Sequence, residues 1–254
     1  VLTVPRDLVL PAVEACAAKG VRGIVTITAG FKEVDAEGAA LEERILAVLR
    51  EHGIRMVGPN CMGLIHTDPD VRLNASFAAR EPLPGPVGFA SQSGALGEAI
   101  LETAAELGLG LSSFVSLGNK ADVSANDLLE WWCEDERTRL VLLYLESFGN
   151  PRRFASLARR LTRDEGKPIL AVKSGRSRAG AAAASSHTGS LAGTDAAVKA
   201  LFEQCGVLRA NTVDQLFSLA RGFASQPLPT GPKVAILTNA GGPGILATDA
   251  AVHF

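Results

Sequence analysis

An α/β fold made of consecutive parallel-sheet domains is predicted by three observations. Short aliphatic or β-branched runs alternate with amphipathic helical stretches along almost the whole chain. The composition is 47% hydrophobic but only 5% aromatic, rich in Ala, Gly, Val and Leu, as in many α/β proteins. Two proline-rich breaks, Glu81–Pro86 and Gln226–Pro232, divide the alternation into series. With 254 residues the chain can bury more than one core.

Each element has its own reason. Val1–Val4 is a short β-type run leading to Pro5. Leu8, Val9, Ala12, Val13 and Cys16 recur at helical spacing over Asp7–Lys19. Val21–Thr28 is a β-branched run that can be a buried strand, and Gly30–Glu37 is a turn. Gly38–His52 carries Leu41, Ile45, Val48 and Leu49 on one helical face, closed by Gly53. Ile54–Val57 is a strand running into Gly58, Pro59 and Asn60. This βαβαβ order implies a parallel sheet covered on both faces.

After the first break the alternation resumes. The strands are Val87–Ala90, Ser112–Ser116, Leu140–Leu145 and Pro168–Lys173. The helices are Ala95–Leu107, Ala125–Cys133, Arg152–Arg163 and Thr194–Cys205. Thr212 with Gln215 is a capping-box signature for a last helix to Ala224. Beyond the second break, Lys233–Thr238 reads as a strand, followed by a glycine-rich turn at 239–244 and a helix over Pro243–Phe254. The chain starts without Met inside a strand and stops within a helix. It is expected to be a segment of a longer polypeptide, with domains at 1–82, 86–226 and 232–254.

Composition narrows the function classes. A net charge of −2 argues against a nucleic-acid or polyanion partner. Cys16, Cys61, Cys133 and Cys205 are far apart and form no CxxC, which excludes the usual zinc and thioredoxin-like spacings and suggests a reducing compartment. No metal site is expected. The longest apolar runs are broken by charge or glycine, so no membrane span is visible, and no signal peptide is expected. A cytoplasmic location is expected.

The stretch around which the rest is organised is Ala184–Gly193, where His187 stands among serine, threonine and glycine without apolar neighbours. A neutral imidazole is a good nucleophile toward phosphorus or acyl carbon; a solvent-facing histidine in a polar loop is the plainer reading. Strand-to-glycine-to-helix junctions recur near Ser91, near His187 and near Gly241; each is an anion-site geometry, though at Gly241–Gly244 a purely steric role for the glycines is the better reading. At Ser91–Gly94 two hydroxyls and the next helix's amides can hold a phosphoryl group, or a serine can simply cap that helix, with the same groups serving both. Glu146 ends the strand Val141–Glu146, where ligands of open parallel sheets gather. It could fix an imidazole tautomer or face water. Cys61 reads as a small buried side chain. His52 at a helix end, His66 in a polar loop and His253 have no evident partner and are taken as structural or surface residues.

Several segments then occur in one order and spacing: Ala29–Phe31, Gly58–Gly63, Phe89–Gly97, Ser116–Asp122, Leu145–Phe148, Lys173–Arg176 and Ser185–Ser190. Together they resemble the α part of NDP-forming acyl-CoA synthetases, which include ADP-forming acetyl-CoA synthetase and are related to succinyl-CoA synthetase. The resemblance implies a Rossmann-like CoA-binding part, a flavodoxin-like CoA-ligase domain with a phosphohistidine loop, and the start of a second flavodoxin-like domain. It also implies a relay. Acyl-CoA and phosphate give acyl phosphate and CoA; the acyl phosphate phosphorylates the matching His187, oriented by Glu146; the loop delivers the group to ADP.

By the same resemblance Ser91, Gln92, Ser93, Gly94, Ser186 and Gly189 bind phosphate, and Gly30, Phe31, Pro59, Asn60 and Cys61 lie near the pantetheine and thiol end of CoA. The family's glycine-rich turn for the CoA phosphates would precede Val1. No ATP-grasp or GxxxxGK[ST] signature is present. The implied partner for ADP/ATP and Mg2+ is therefore an ATP-grasp β domain or subunit, in an oligomer acting on a small carboxylate. The alternative is a non-catalytic CoA- or acyl-CoA-sensing module of a fusion protein.

Overall fold

The computed structural model describes residues 1–177, 179–180 and 194–253. It is α/β, with parallel pairing dominant. The first unit is small. Helix α1 (Arg6–Ala18) and helix α2 (Ala36–His52) flank a two-stranded parallel sheet of β1 (Gly23–Val25) and β2 (Arg55–Val57). Asp35 starts α2 by accepting from Gly38 N at 2.6 Å, and Gly53 ends it in the left-handed conformation at φ 65°. Val9, Val13, Ile24, Ile45, Leu49 and Met56 make the core between these elements.

Val1–Val4 is not a strand. Only Leu2 bridges to Thr26, through Leu2 N to Val25 O and Ile27 N to Leu2 O, because Pro5 opens α1 directly afterwards.

The second unit is a seven-stranded sheet in the order β4-β3-β6-β5-β7-β8-β9. Its parallel strands are β5 (Pro84–Ser91), β6 (Leu111–Ser116), β7 (Leu140–Leu145), β8 (Ile169–Lys173) and β9 (Val207–Ala210). The short antiparallel strands β3 (Gly63–His66) and β4 (Leu73–Ser76) extend the β6 edge.

Period-2 alternation divides the buried side chains between two helical layers. Val141, Leu143 and Leu145 face α4 (Ala125–Glu134), α5 (Pro151–Arg159) and α6 (Asp195–Cys205). Leu140 and Leu142 face α3 (Ala95–Glu106) and α7 (Val213–Ser225). A π-helical turn, Arg160–Asp164, prolongs α5.

The structure departs from the sequence expectation in several places. β3 and β4 lie before the proline-rich break yet pair with the large sheet, and β5 begins inside the break at Pro84. Pro84 and Pro86 lack only the N–H, and a strand's first residues tolerate that loss. His66 is on β3 rather than in a loop. Its Nδ1 lies 3.1 Å from Ser112 O and its ring meets Trp131 edge-on at 5.5 Å. Lys233–Thr238 forms no strand: it has no ladder partner among the described residues and stands exposed, and an extended run becomes a strand only against a neighbour. Helix α8 (Gly241–His253) follows it. No helix among the described residues is long and apolar enough to cross a membrane.

One charge cluster joins the two units. Asp127 closes the Ser124 capping box of α4 and receives Arg55 of β2 at 3.2 Å and Arg153 of α5 at 3.1 Å. Burial alone would raise its carboxyl, but hydrogen bonds from Ser124, Arg153 and Arg55 outweigh this and hold it at about 2. A depressed folded-state value contributes stability that is full above about pH 4 and is lost as pH falls toward about pH 2. Asp127→Asn is therefore expected to cost about 1–2 kcal/mol at neutral pH and to blunt the acid limb of a stability–pH curve. Urea melts from about pH 2 to about pH 7 check this; parallel curves for the two proteins would contradict it.

Candidate active site

The parallel strands taken in chain order have the arrangement 2-1-3-4-5, so the order reverses between β5 and β7. Ligands of such sheets bind outside the carboxyl ends of the strands at that point, where the two flanking loops part. Here those loops are Ser91–Gly94 and Glu146–Phe148, and Gln92 ties them together. Its Oε1 accepts from Glu146 N at 2.8 Å, Ser147 N at 2.9 Å and Lys120 Nζ at 3.1 Å, while its Nε2 donates to Ser147 O at 2.7 Å.

The four residues of the Ser91–Gly94 turn therefore serve different ends. The Gln92 side chain is used up in bracing the β7 loop. Ser91 is fully buried and its hydroxyl donates to Ser93 O at 2.8 Å. Ser93 and Gly94 stay partly open, at the start of α3; of its first-turn amides, Gly97 N donates to Gly94 O at 3.0 Å. Ser93 Oγ covers another, accepting from Leu96 N at 3.4 Å. Capping and a partly open helix end thus coexist at this turn.

Charge gathers around Glu146. Burial lowers the Lys120 ammonium to about 8; Lys32 and Lys173 push the same way and Glu146 opposes them. Lys173 at the end of β8 is likewise lowered, by burial and then by Arg209, with Glu146 and Asp195 opposing. Arg209 of β9 pairs with Asp195 at the start of α6, and that pair holds the carboxylate below its usual range. An open cleft lined by Tyr144, Lys173, Ser174, Arg176, Asp195 and Asn211 lies beside these groups. Residues 181–193 connect its two rims. Ser186, His187 and Gly189 fall in that stretch, outside the described residues.

The residues expected near CoA come together on the small unit's loops, at different depths. Gly30 and Asn60 are half-exposed, whereas Phe31, Pro59 and Cys61 are buried. Cys61 Sγ lies 3.3 Å from Thr26 O, and burial pushes the thiol up to about 11, so it is neutral at ordinary pH and not a nucleophile. Asn60 meets Asn119 of the following unit at 3.3 Å. Asn119 Nδ2 in turn touches Glu33 at 2.5 Å and buried Glu42 at 3.0 Å. Lys32 neutralises Glu42 at 2.7 Å. Burial would raise the Glu33 carboxyl, but Asn119 and the amides of Gly30 and Phe31 together lower it.

Gly118 makes this interlock of loops possible. Its φ is +54°, and a Cβ there would lie 2.3 Å from both Pro59 O and Asn60 O. Gly118→Ala is expected to cost about 3 kcal/mol or more, the sum of left-handed strain and a clash with rigid backbone. An unchanged urea midpoint would contradict the interlock.

Sequence reasoning quoted Asn119 and Lys120 within a motif without giving them roles, and it passed over Glu33 and Glu42. The available signal was a Gly-Asn-Lys turn following a strand.

Comparison with known proteins bears on the same regions. A family described as "Succinyl-CoA ligase like flavodoxin domain" matches residues 84–223, and one described as "CoA binding domain" matches residues 1–67. The chain is 45% identical over 251 residues to the α subunit of acetate–CoA ligase [ADP-forming] I of Pyrococcus furiosus, covering 99% of the chain and 54% of that subunit. It is 44% identical over 254 residues to acetate–CoA ligase [ADP-forming] of Methanocaldococcus jannaschii, covering 35% of it. A solved acetyl-coenzyme A synthetase 1 of Ca. Korarchaeum cryptofilum, in complex with phosphate and ADP, superposes with a TM-score of 0.93 at 40% identity. That match covers 99% of this chain and 53% of the other. The chain thus spans between about a third and about half the length of these relatives.

Proposed function

The chain belongs to the NDP-forming acyl-CoA synthetases of the succinyl-CoA ligase type, and from that premise we propose that it is the α portion of such an enzyme, relaying a phosphoryl group through His187. Phosphate oxygen attacks the thioester carbonyl, the C–S bond breaks, and the CoA sulfur leaves and takes a proton. An imidazole nitrogen of His187 then attacks phosphorus and the carboxylate departs. The loop passes the phosphoryl group to the β-phosphate oxygen of ADP, and every step reverses. Its amino-acid relatives include a ligase for 4-hydroxybutyrate, so the acyl pocket accepts differing small carboxylates across the family.

One observation carries this reading. At the sheet's reversal point a carboxylate, Glu146, lies in the field of half-buried Lys120 and buried Lys173, on a loop braced by Gln92, beside the N-terminus of α3 and the described residues that flank 181–193. An anion cradle, an orienting carboxylate and a tethered nucleophile are what phosphoryl transfer needs, since its catalysis is mostly positioning and charge. Gly30 and Asn60 are the accessible contacts for CoA; Phe31, Pro59 and Cys61 form the wall behind them. The nucleotide and its Mg2+ belong on an ATP-grasp domain or subunit, with the whole as an oligomer. Residues 1–82, 86–226 and 232–254 are the proposed CoA-binding, ligase and following domains, with β3 and β4 contributed by the first to the sheet of the second.

The test uses the full-length enzyme with labelled ATP, or with acyl-CoA and labelled phosphate. Acid-labile, base-stable label on the protein from both donors is expected. No label from either would overturn the relay in favour of a CoA-sensing module.

A further inference from the structure

The motif Ser116–Asp122 has no part in the relay as written, yet it lies between the two sets of loops that the relay uses. On one side Asn119 N donates to Pro59 O, Ala121 N to Gly58 O and Val123 N to Met56 O. The Asn119 side chain is committed to Glu33 and Glu42. On the other side the very next residue, Lys120, reaches Gln92 Oε1 at 3.1 Å and touches the Ser147 hydroxyl. That Gln92 oxygen also holds the amides of Glu146 and Ser147.

Lys120 adopts φ 46°, a region that side chains other than glycine and asparagine rarely occupy. Such a conformation persists where the surroundings over-determine it, and it recurs at functional sites. Asn119 on the CoA-loop side and Leu117 O, which accepts from Lys120 N at 2.9 Å, fix it here.

We infer that Lys120 is a positioning residue for Glu146: its ammonium holds the Gln92 bracket that aims the carboxylate, and it balances the negative charge brought there by a phosphoryl group. This rests on the relay through His187. A neutral lysine would leave Gln92 Oε1 with a weaker third donor and Glu146 facing an arriving phosphate without that counter-charge. The charged groups facing Lys120 are Glu146 after β7, Lys173 at the end of β8 and Lys32 on the CoA-side loop. Burial sets the alkaline limit of the site, with Glu146 opposing it and the two lysines adding to it, since the ammonium is lost as pH rises through about 8.

Rapid-quench phosphorylation of His187 from ATP in the full-length enzyme tests this, from about pH 6 to about pH 9.5. The wild-type rate is expected to fall as pH rises through about 8. Lys120→Met is expected to be about tenfold to a hundredfold slower near pH 7, without that fall. Lys120→Arg is expected to restore most of the rate and to stay level to the alkaline end, because a guanidinium keeps its charge there. Wild-type enzyme that takes no label overturns the relay and this role with it. Label at the wild-type rate in Lys120→Met, or an unchanged alkaline fall in Lys120→Arg, overturns the role of Lys120 alone. Where Lys120→Met does not fold by circular dichroism, the pH profile of Lys120→Arg decides.

Discussion

His187→Ala is expected to abolish protein-bound, acid-labile label from either donor, to the limit of detection. The loss is expected to be total rather than graded because the side chain is the proposed covalent carrier: alanine offers no atom to which phosphorus can bond. A phosphoramidate is stable in base and labile in acid, so the lability distinguishes it from a serine ester formed on Ser186 or Ser190. The described elements on either side are held without the histidine: β8 through Ser174, whose amide donates to Leu145 O at 2.9 Å, and α6 through the Asp195–Arg209 pair. Thermal melts beside the labelling separate loss of the carrier from loss of the fold. Label of equal amount and equal lability in the variant would sink the assignment.

Glu146→Gln is expected to slow phosphorylation by about two to four orders of magnitude with the fold intact. Glutamine keeps the length and shape of the side chain. The backbone is held independently of it, since Gln92 Oε1 accepts from the amides of residues 146 and 147. What is lost is the negative charge that would orient an imidazole N–H and stabilise the cation formed as the ring attacks. The sign of a second effect follows from the same charge. Glu146 raises the affinity of Lys120 and Lys173 for their protons. Removing it moves the alkaline fall in rate to lower pH than in the wild type. A wild-type rate and an unshifted pH profile together would remove Glu146 from the mechanism.

The legible parts of this chain were those with local causes. Alternation of apolar runs with amphipathic stretches gave the helices and most parallel strands, because β7 (Leu-Val-Leu-Leu-Tyr-Leu) is buried on both faces and α2 carries its own cap and its own stop at Gly53. The strands that escaped, β3, β4 and β9, are short and lie toward the two ends of the sheet. β4 carries polar residues, and β9 carries Arg209, whose head leaves the sheet to pair with Asp195. Four-residue segments like these become strands through a neighbour's hydrogen bonds, and their composition does not announce it. The reverse happened at Lys233–Thr238, which has strand composition and no neighbour among the described residues.

Among the described residues, the ordered motifs at Ser91–Gly94, Ser116–Asp122 and Leu145–Phe148 fall at strand ends. They did not distribute the work within a loop. Ser91–Gly94 reads as one phosphate cradle. In the folded chain Ser91 is shut inside its own turn, Gln92 braces Glu146, and Ser93 and Gly94 stay partly open while capping Leu96 N and Gly97 N. Phe31 lies buried although Ala29 and Lys32 of its turn are exposed, whereas Cys61 is buried as its residue type predicts.

By itself, then, the sequence determined the α/β class and the family whose motifs it carries in order. Those follow from residue type and spacing, which the linear chain already contains. Tertiary structure alone decided that β5 and β7 are neighbours, so that loops 54 residues apart share one glutamine oxygen. It alone decided that Asn119 and Lys120 face opposite ways, one toward the buried glutamates of the small unit and the other toward Glu146. The physical reason is that burial and hydrogen-bond partners are properties of packed surfaces: strand order sets which charges meet, and meeting sets which of them are paired, shifted or left free.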